Sequence, residues 1–244
     1  MLDLPFANKE RTFDGLGLPK GEEPLYEFAW HPRLMLLPVR QMDFKGRTMK
    51  RAVDVGLSLG VLIVFAFPAL LLMLAIRLES RGPVLFRQQR IGLLGRQFTT
   101  LKFRTMVAHA DEGGIVTQAT RDDPRVTRLG HWLRRYSVDE FPQFINVLRG
   151  DMSIVGPRPH APGTRAGGHL FEEITESYAN RHSVKPGLTG LAQVRGWRGE
   201  TDTEDKFYNR IDCDFEYIAH WSIGLDLAII WRTACSVSRM GNAY

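Results

Sequence analysis

The sequence predicts a mixed α/β protein: a membrane-embedded re-entrant helix-break-helix wedge, a small β-hairpin sheet beside it, and amphipathic helices at the interface. Three observations carry that expectation. Val55 to Ile76 is an uncharged run of 22 residues interrupted by Pro68. A basic segment with two strand-like stretches joined through Gly92 and Gly95 follows it. Further on, Phe141, Phe144, Ile145 and Leu148 repeat at helical spacing. The 244 residues, 44% hydrophobic and 24% charged, suit one or two globular domains and exclude wholesale disorder, collagen and solenoid arrays. We divide the chain into an N-terminal extension (1–48), the re-entrant helix (49–77) and a C-terminal domain (78–244).

In the extension, proline and glycine recur from Pro5 to Gly21 and no chemistry is visible. The apolar run, as one continuous helix, would reach about 33 Å, enough for a hydrocarbon core of about 30 Å. Pro68 splits it into 13 and 8 residues, about 20 and 12 Å, and neither piece spans alone. A bend is expected at the proline, which removes a backbone donor and clashes with the preceding turn. Lys45, Arg47, Lys50 and Arg51 precede the run, and Arg77, Arg81, Arg87 and Arg90 follow it. By the positive-inside rule both ends face the cytoplasm, which favours a re-entrant wedge. A kinked spanning helix and a buried core helix are the alternatives.

The net charge of +5 is local: residues 77–135 hold 12 Lys and Arg against 5 Asp and Glu, or +7, leaving −2 for the rest. That concentration points to an anionic partner or surface. In the second strand Leu101 and Phe103 share one face, and Lys102 and Arg104 the other. The cations suit either a solvated face or a diphosphate. Cys213 and Cys235 have no metal-ligand spacing and suggest no disulfide framework.

Residues 129–150, LGHWLRRYSVDEFPQFINVLRG, contain the most informative pattern. Gly150 closes the amphipathic helix, and Pro142 falls in its first turn. Ser137 and Glu140 have capping-box spacing, and Asp139 is itself a candidate N-cap. Asp139 and Glu140 therefore have a structural reading, complementing the positive end of the helix. The chemical reading is an ionised carboxylate nucleophile toward phosphorus beside a carboxylate that holds Mg²⁺. Arg134 lies about one turn upstream. The short strand 151–155 leads into Gly156-Pro157-Arg158-Pro159, a stiff loop whose guanidinium suits a phosphate fork, or a plain surface turn. A second rigid loop, Lys185 to Gly190, precedes GLAQVRGWRGETDT, where Arg195 and Arg198 flank Trp197. Residues 223–231 read as an interfacial helix with Trp221 and Trp231 at headgroup level, or as a core helix.

KRAVDVGLSLG, the broken apolar run, LKFRTM, SVDEFPQ, VGPRPHA, VKPGLTGLAQV and GWRGETDT follow one another over residues 49–233. In that order they resemble the bacterial sugar transferase family, the monotopic phosphoglycosyl transferases. The resemblance implies transfer of a sugar 1-phosphate from a UDP-sugar to a polyprenyl phosphate at the inner face of the bacterial cytoplasmic membrane, with release of UMP. It implies Asp139 as the nucleophile of a covalent phospho-sugar intermediate and Glu140 as a Mg²⁺ ligand. Lys102, Arg134 and Arg158, with Arg104 as an extension of the same idea, become substrate-binding residues. VGPRPHA and GWRGETDTEDK are similar to the hexose-handling branch, so glucose 1-phosphate transfer to undecaprenyl phosphate is the expectation, with galactose the alternative. The departures are Phe67 before Pro68 where the family often has Ser, Leu191 where many have Trp, and Arg195 where many have Asn.

Many members of that branch carry four further membrane helices upstream, for which this sequence has no hydrophobic run. It is expected to be a short natural form or a catalytic fragment. The partners expected are the UDP-sugar, undecaprenyl phosphate and membrane lipid; a homodimer stays open, and no nucleic-acid reader motif is present. The rival functions are a membrane-anchored nucleotide-sugar hydrolase and a non-catalytic scaffold that holds its basic face on anionic lipid.

Overall fold

A computed structural model describes residues 43–107, 123–199, 201 and 203–238. The expectation for residues 1–42 lies outside the described residues. Asp43 starts the first helix, its Oδ1 accepting from Gly46 N at 2.8 Å. Helix α1 (Phe44–Val64) and helix α2 (Ala66–Glu79) meet at Phe65 with a 63° bend. No single helix among the described residues is long and apolar enough to cross a membrane; the bent pair reaches that length and composition only when its two helices are taken together.

The break falls three residues before Pro68. Pro68 cannot donate to the carbonyl of Val64, and its ring crowds that carbonyl. Helix α1 therefore ends at Val64, and the proline sits in the first turn of α2, where a missing N–H costs little. The ten residues from Val55 to Val64 reach about 15 Å and α2 about 21 Å. Ile63, Val64, Phe67, Leu70 and Leu74 project from the pair, each more than half exposed.

Both ends of the pair are fastened to the body. Lys50 Nζ donates to Val155 O (3.0 Å), Tyr217 Oη (3.1 Å) and Asp226 Oδ2 (2.7 Å). Asp54 Oδ1 accepts from Ser153 Oγ at 3.0 Å and Ile154 N at 2.9 Å. Ala69, Leu72 and Met73 of the returning helix pack on a cluster of Ile76, Phe103 and Leu133.

Strands β1 (Leu85–Ile91) and β2 (Gln97–Phe103) form the expected hairpin, in register from Leu85↔Phe103 to Ile91↔Gln97. Gly95 takes φ +74° in the connection, a conformation that favours glycine. Leu101 and Phe103 are buried, as their alternation requires, and Lys102 faces the other way. Helix α3 (Arg128–Arg135) leads through a 3₁₀ turn (Val138–Glu140) to α4 (Gln143–Arg149). Gly150 ends α4 at φ 92°, donating to Asn146 O and Val147 O. Arg51 of α1 donates to Val147 O and Leu148 O at 2.6 and 2.7 Å, where a cation complements the helix end.

Strand β3 (Ser153–Val155) is followed by a two-residue ladder, β4 (Arg165–Ala166) with β5 (His169–Leu170). Then come α5 (Phe171–Ile174), a 3₁₀ segment (Glu176–Ser183) and β6 (Gly187–Thr189), which pairs in parallel with β3. The two rigid loops meet backbone to backbone: a Cβ at Gly187 would come 2.1 Å from Gly156 N, so only glycine fits. Helix α6 (Leu191–Val194) precedes α7 (Glu204–Ala219), which buries Phe207, Ile211, Phe215 and Ile218. The last described helix, α8 (Ile223–Ser238), buries Leu225 and Ile229 while Leu227 and Trp231 stand exposed. It thus joins a core face to an apolar outer face. Trp221 is half-buried and donates Nε1–H to Asp226 at 3.1 Å.

Candidate active site

The Asp-Glu pair occupies the 3₁₀ turn between α3 and α4. Ser137, which opens the turn, is left-handed at φ 57°, and its hydroxyl makes no cap. The capping box suggested by the spacing is therefore not formed. Nor does Asp139 cap α4, whose N-cap is Pro142 with no side-chain cap bond. Val138 and Phe141, on either side of the dyad, pack on the Ile76, Phe103 and Leu133 cluster. The Phe141 ring lies 6.2 Å from that of Phe103 and 6.3 Å from that of Phe65 at the helix bend. The acidic turn is thus seated against the break in the apolar pair.

The two carboxylates have different surroundings. Glu140 receives Lys102 Nζ at 2.9 Å and both terminal nitrogens of Arg158, one at 3.1 Å and one closer. Burial raises its pKa, but Arg158 and Lys102 outweigh burial and hold it well below the usual carboxylate range. Asp139, 8% exposed, accepts no hydrogen bond among the described residues, and Lys102 Nζ stands 3.9 Å from its Oδ2. Burial pushes its carboxyl up to about 6, with Lys102 opposing and the charge of Glu140 adding to the rise. With its pKa near 6, Asp139 is mostly ionised at neutral pH, poorly solvated and paired with Lys102 only at 3.9 Å, a condition that suits a carboxylate nucleophile.

The structure brings Lys102, Arg134 and Arg158 to the dyad. Arg134 donates Nε–H to Thr105 Oγ1 at 2.9 Å, and its charge acts on Asp139. Arg104 is the correction. The strand ends at Phe103, so the alternation that would place Arg104 beside Lys102 stops there. Its guanidinium turns instead to the end of α2, donating to Ser80 O (2.6 Å), Ser80 Oγ (2.9 Å), Ile76 O (3.3 Å) and Pro83 O (2.5 Å). Arg104 thus caps the returning helix.

Several supporting residues were missed in the sequence. Arg181, fully buried, pairs with Asp214 at 2.6 Å and donates to the carbonyl of Arg158 at 2.7 Å, fixing the loop from inside. His160 Nδ1 lies 2.9 Å from Arg181 Nη1, and burial and the neighbouring cations keep this imidazole neutral. Arg90 donates to Pro159 O at 3.0 Å; burial and Arg158 lower its pKa to about 10 despite Glu140. Arg198 reaches Ser137 Oγ at 2.8 Å, whereas Arg195, on the other side of Trp197, pairs with Glu216. Only the stiffness of VGPRP and the arginines around Trp197 hinted at this support.

A match to the family described as bacterial sugar transferase runs over residues 45–240. The chain belongs to that family. It is 53% identical over 184 residues to an undecaprenyl-phosphate glucose phosphotransferase of Komagataeibacter xylinus, covering 75% of this chain and 35% of that protein. It is 52% identical over 195 residues to a UDP-glucose:undecaprenyl-phosphate glucose-1-phosphate transferase of Caulobacter vibrioides, covering 80% of this chain and 72% of the relative. The exopolysaccharide production protein PSS of Rhizobium leguminosarum bv. phaseoli is 46% identical over 196 residues, 80% of this chain and 98% of the relative. This sugar transferase thus spans about a third of the length of its K. xylinus relative. The matched residues include the bent helix pair, the acidic turn and both rigid loops.

Proposed function

We propose that this sugar transferase moves a hexose 1-phosphate, glucose 1-phosphate first, from a UDP-hexose to undecaprenyl phosphate, releasing UMP as the first step of exopolysaccharide or other lipid-linked glycan assembly. The names of the relatives favour glucose. The observation that carries the mechanism is the asymmetry of the dyad: one carboxylate clamped by two cations through hydrogen bonds, its neighbour buried, with Lys102 at the longer distance of 3.9 Å.

Asp139 attacks the phosphorus that bears the sugar. An aspartyl O–P bond forms, the P–O bond to the UMP phosphate breaks, and UMP leaves with the electron pair. An oxygen of undecaprenyl phosphate then attacks the same phosphorus and expels the Asp139 carboxylate. Lys102, Arg134 and Arg158 place positive charge where the transferring phosphoryl group needs it, and the Arg158 fork fits a phosphate as it fits Glu140.

Mg²⁺ suits the donor set. Glu140 is a hard oxygen donor kept ionised, and Mg²⁺ commonly takes one or two carboxylates and fills its shell with water and substrate phosphates. No cluster of three or more His, Cys, Asp or Glu that could hold a metal occurs among the described residues, so a cage made wholly of protein is not offered here. When bound, the ion would neutralise charge on the diphosphate. The bent apolar pair would lie in the cytoplasmic leaflet of the bacterial inner membrane, both ends and the catalytic domain facing the cytoplasm. Its exposed apolar residues and the cations flanking both ends support that placement.

The test is a mixture of protein, UDP-glucose and Mg²⁺ without lipid acceptor. At most one UMP per site should be released, and the intact protein should gain the mass of one sugar phosphate, mapping to Asp139. Full transfer by Asp139→Asn, or the adduct on another residue, would remove the covalent mechanism. Continued UMP release without acceptor would instead indicate a hydrolase.

A further inference from the structure

The positive charge concentrated over residues 77–135 is only partly used by the chemistry derived so far. Lys102 and Arg134 act on the dyad, Arg90 and Arg104 bond backbone carbonyls, and Arg125 is closed on Asp123. Arg128 and Arg135 have no ion pair and no side-chain hydrogen bond among the described residues. Both belong to helix α3.

Arg128, His131, Trp132 and Arg135 are the exposed residues of α3. Their spacing, i, i+3, i+4 and i+7, puts them on one face of the helix. The other face is locked. Leu133 is fully buried, Leu129 packs with it beside Ile76 and Phe103, and a Cβ on Gly130 would come 2.1 Å from the carbonyl oxygen of Thr105. The helix cannot roll, so the cationic face is fixed outward. Glu79, the last residue of α2, accepts from Leu129 N at 2.9 Å, which starts this face where the apolar pair ends.

The chemistry of the face selects its partner. Guanidinium groups pair with phosphate in a bidentate fork, and an imidazole N–H donates to the same oxygens. Trp132 is 50% exposed and tilts against Tyr136 with ring centroids 5.1 Å apart. An indole, with an apolar body and one N–H donor, is favoured at the boundary between lipid and water. An acidic protein would answer to the arginines, but not to the indole or to the position of the face at the end of the apolar pair. We infer that the outer face of α3 docks on the headgroups of anionic phospholipids, with Arg128 and Arg135 on phosphates and Trp132 at headgroup level. The acidic turn follows this helix directly, so the docked face holds the dyad against the lipid surface.

The inference rests on the membrane placement of the bent pair, and its test separates the two. Protein diluted out of detergent is floated with vesicles of phosphatidylcholine alone and of phosphatidylcholine mixed with phosphatidylglycerol. The wild type is compared with Arg128→Gln/Arg135→Gln and, at the same net charge, with Arg96→Gln/Arg165→Gln, whose arginines stand exposed in the hairpin connection and in β4. Glutamine is a good helix former and all four positions are exposed, so the fold is kept. An arginine at an anionic surface contributes about fivefold to partitioning, and two about thirtyfold. All three proteins should float alike with phosphatidylcholine. On mixed vesicles the Arg96 and Arg165 variant should match the wild type, and the α3 variant should bind roughly thirtyfold more weakly. A phosphatidylglycerol gain kept by the α3 variant would overturn the inference and leave the face to an acidic protein. Equal losses in both variants would overturn it as well, since net charge alone would then account for the gain. If the wild type floats only with mixed vesicles, the placement of the apolar pair fails, while the comparison of the two variants still decides the role of α3.

Discussion

Replacing Asp139 with asparagine should stabilise the protein at neutral and alkaline pH while abolishing the adduct. The carboxyl is raised from 3.8 to about 6, chiefly by burial. Two pKa units correspond to about 3 kcal/mol between the protonation states. Between those two pH values the folded protein holds a proton that the unfolded chain has released, so stability falls as pH rises through the window. Below pH 3.8 the cost is absent, and above about 6 it is fully present. An asparagine of nearly the same shape never ionises and avoids it. For a chain of this size about 3 kcal/mol is roughly 6–12 °C in melting midpoint, an upper figure because Lys102 loses a neighbouring charge. Tryptophan fluorescence melts of both proteins in one detergent, from pH 4.5 to 8, measure the difference. The gap should be small at the acid end and widen in favour of Asp139→Asn as pH rises through about 6. An asparagine variant that melts at or below the wild type at pH 8 would refute the claim that Asp139 is held poorly solvated for attack.

Arg158→Lys keeps the charge but loses the fork seen on Glu140, so adduct formation in stopped-time mass spectra should slow by about tenfold or more. Asp214→Ala leaves Arg181 charged and buried without its partner; a loss of about 3–5 kcal/mol is expected in denaturant melts, with the Arg158 loop loosened. Pro68→Ala restores the N–H toward Val64 O and should straighten the pair. Single cysteines at Thr48 and Ser80, in a background lacking Cys213 and Cys235, should then label from opposite sides of the membrane, whereas the placement proposed above puts both on the cytoplasmic side in the parent. Identical labelling of variant and parent would mean that the packing of α2 on Phe103 and Leu133, and not the proline, holds the bend.

Much of this molecule was legible in its sequence because the signals were local. Strand alternation and two glycines specified the hairpin, helical spacing with Gly150 specified α4, and an interrupted apolar run specified a bent pair. Boundaries were less legible: a proline acts on the carbonyl four residues earlier, so the break belongs to Phe65 and not to Pro68. The capping box failed because it requires Ser137 in an extended conformation, and tertiary packing of Val138 and Phe141 holds it left-handed. Arg104 was misassigned because strand alternation was carried one residue past the end of the strand. The Arg181–Asp214 support of the Arg158 loop joins groups 33 residues apart, a separation that leaves no periodicity to read.

If the apolar pair lies in a membrane as proposed, its two-ended fastening bears on which bilayers this protein tolerates. A helix that crosses a bilayer must match its hydrocarbon thickness, tilting or deforming the lipid when it does not. In the one-leaflet placement proposed above, the bend near Phe65 never meets the far leaflet, and Lys50, Asp54 and Arg104 hold both arms at fixed angles to the body. Depth of insertion is then set by protein packing and not by acyl-chain length. In that placement the acidic turn and the bend form one unit through the Phe141–Phe65 contact, so Asp139 would keep a constant height over the headgroups. Turnover in vesicles of short-chain and long-chain lipids should therefore track lipid fluidity and be indifferent to thickness, unlike that of an enzyme whose site is carried on a spanning helix.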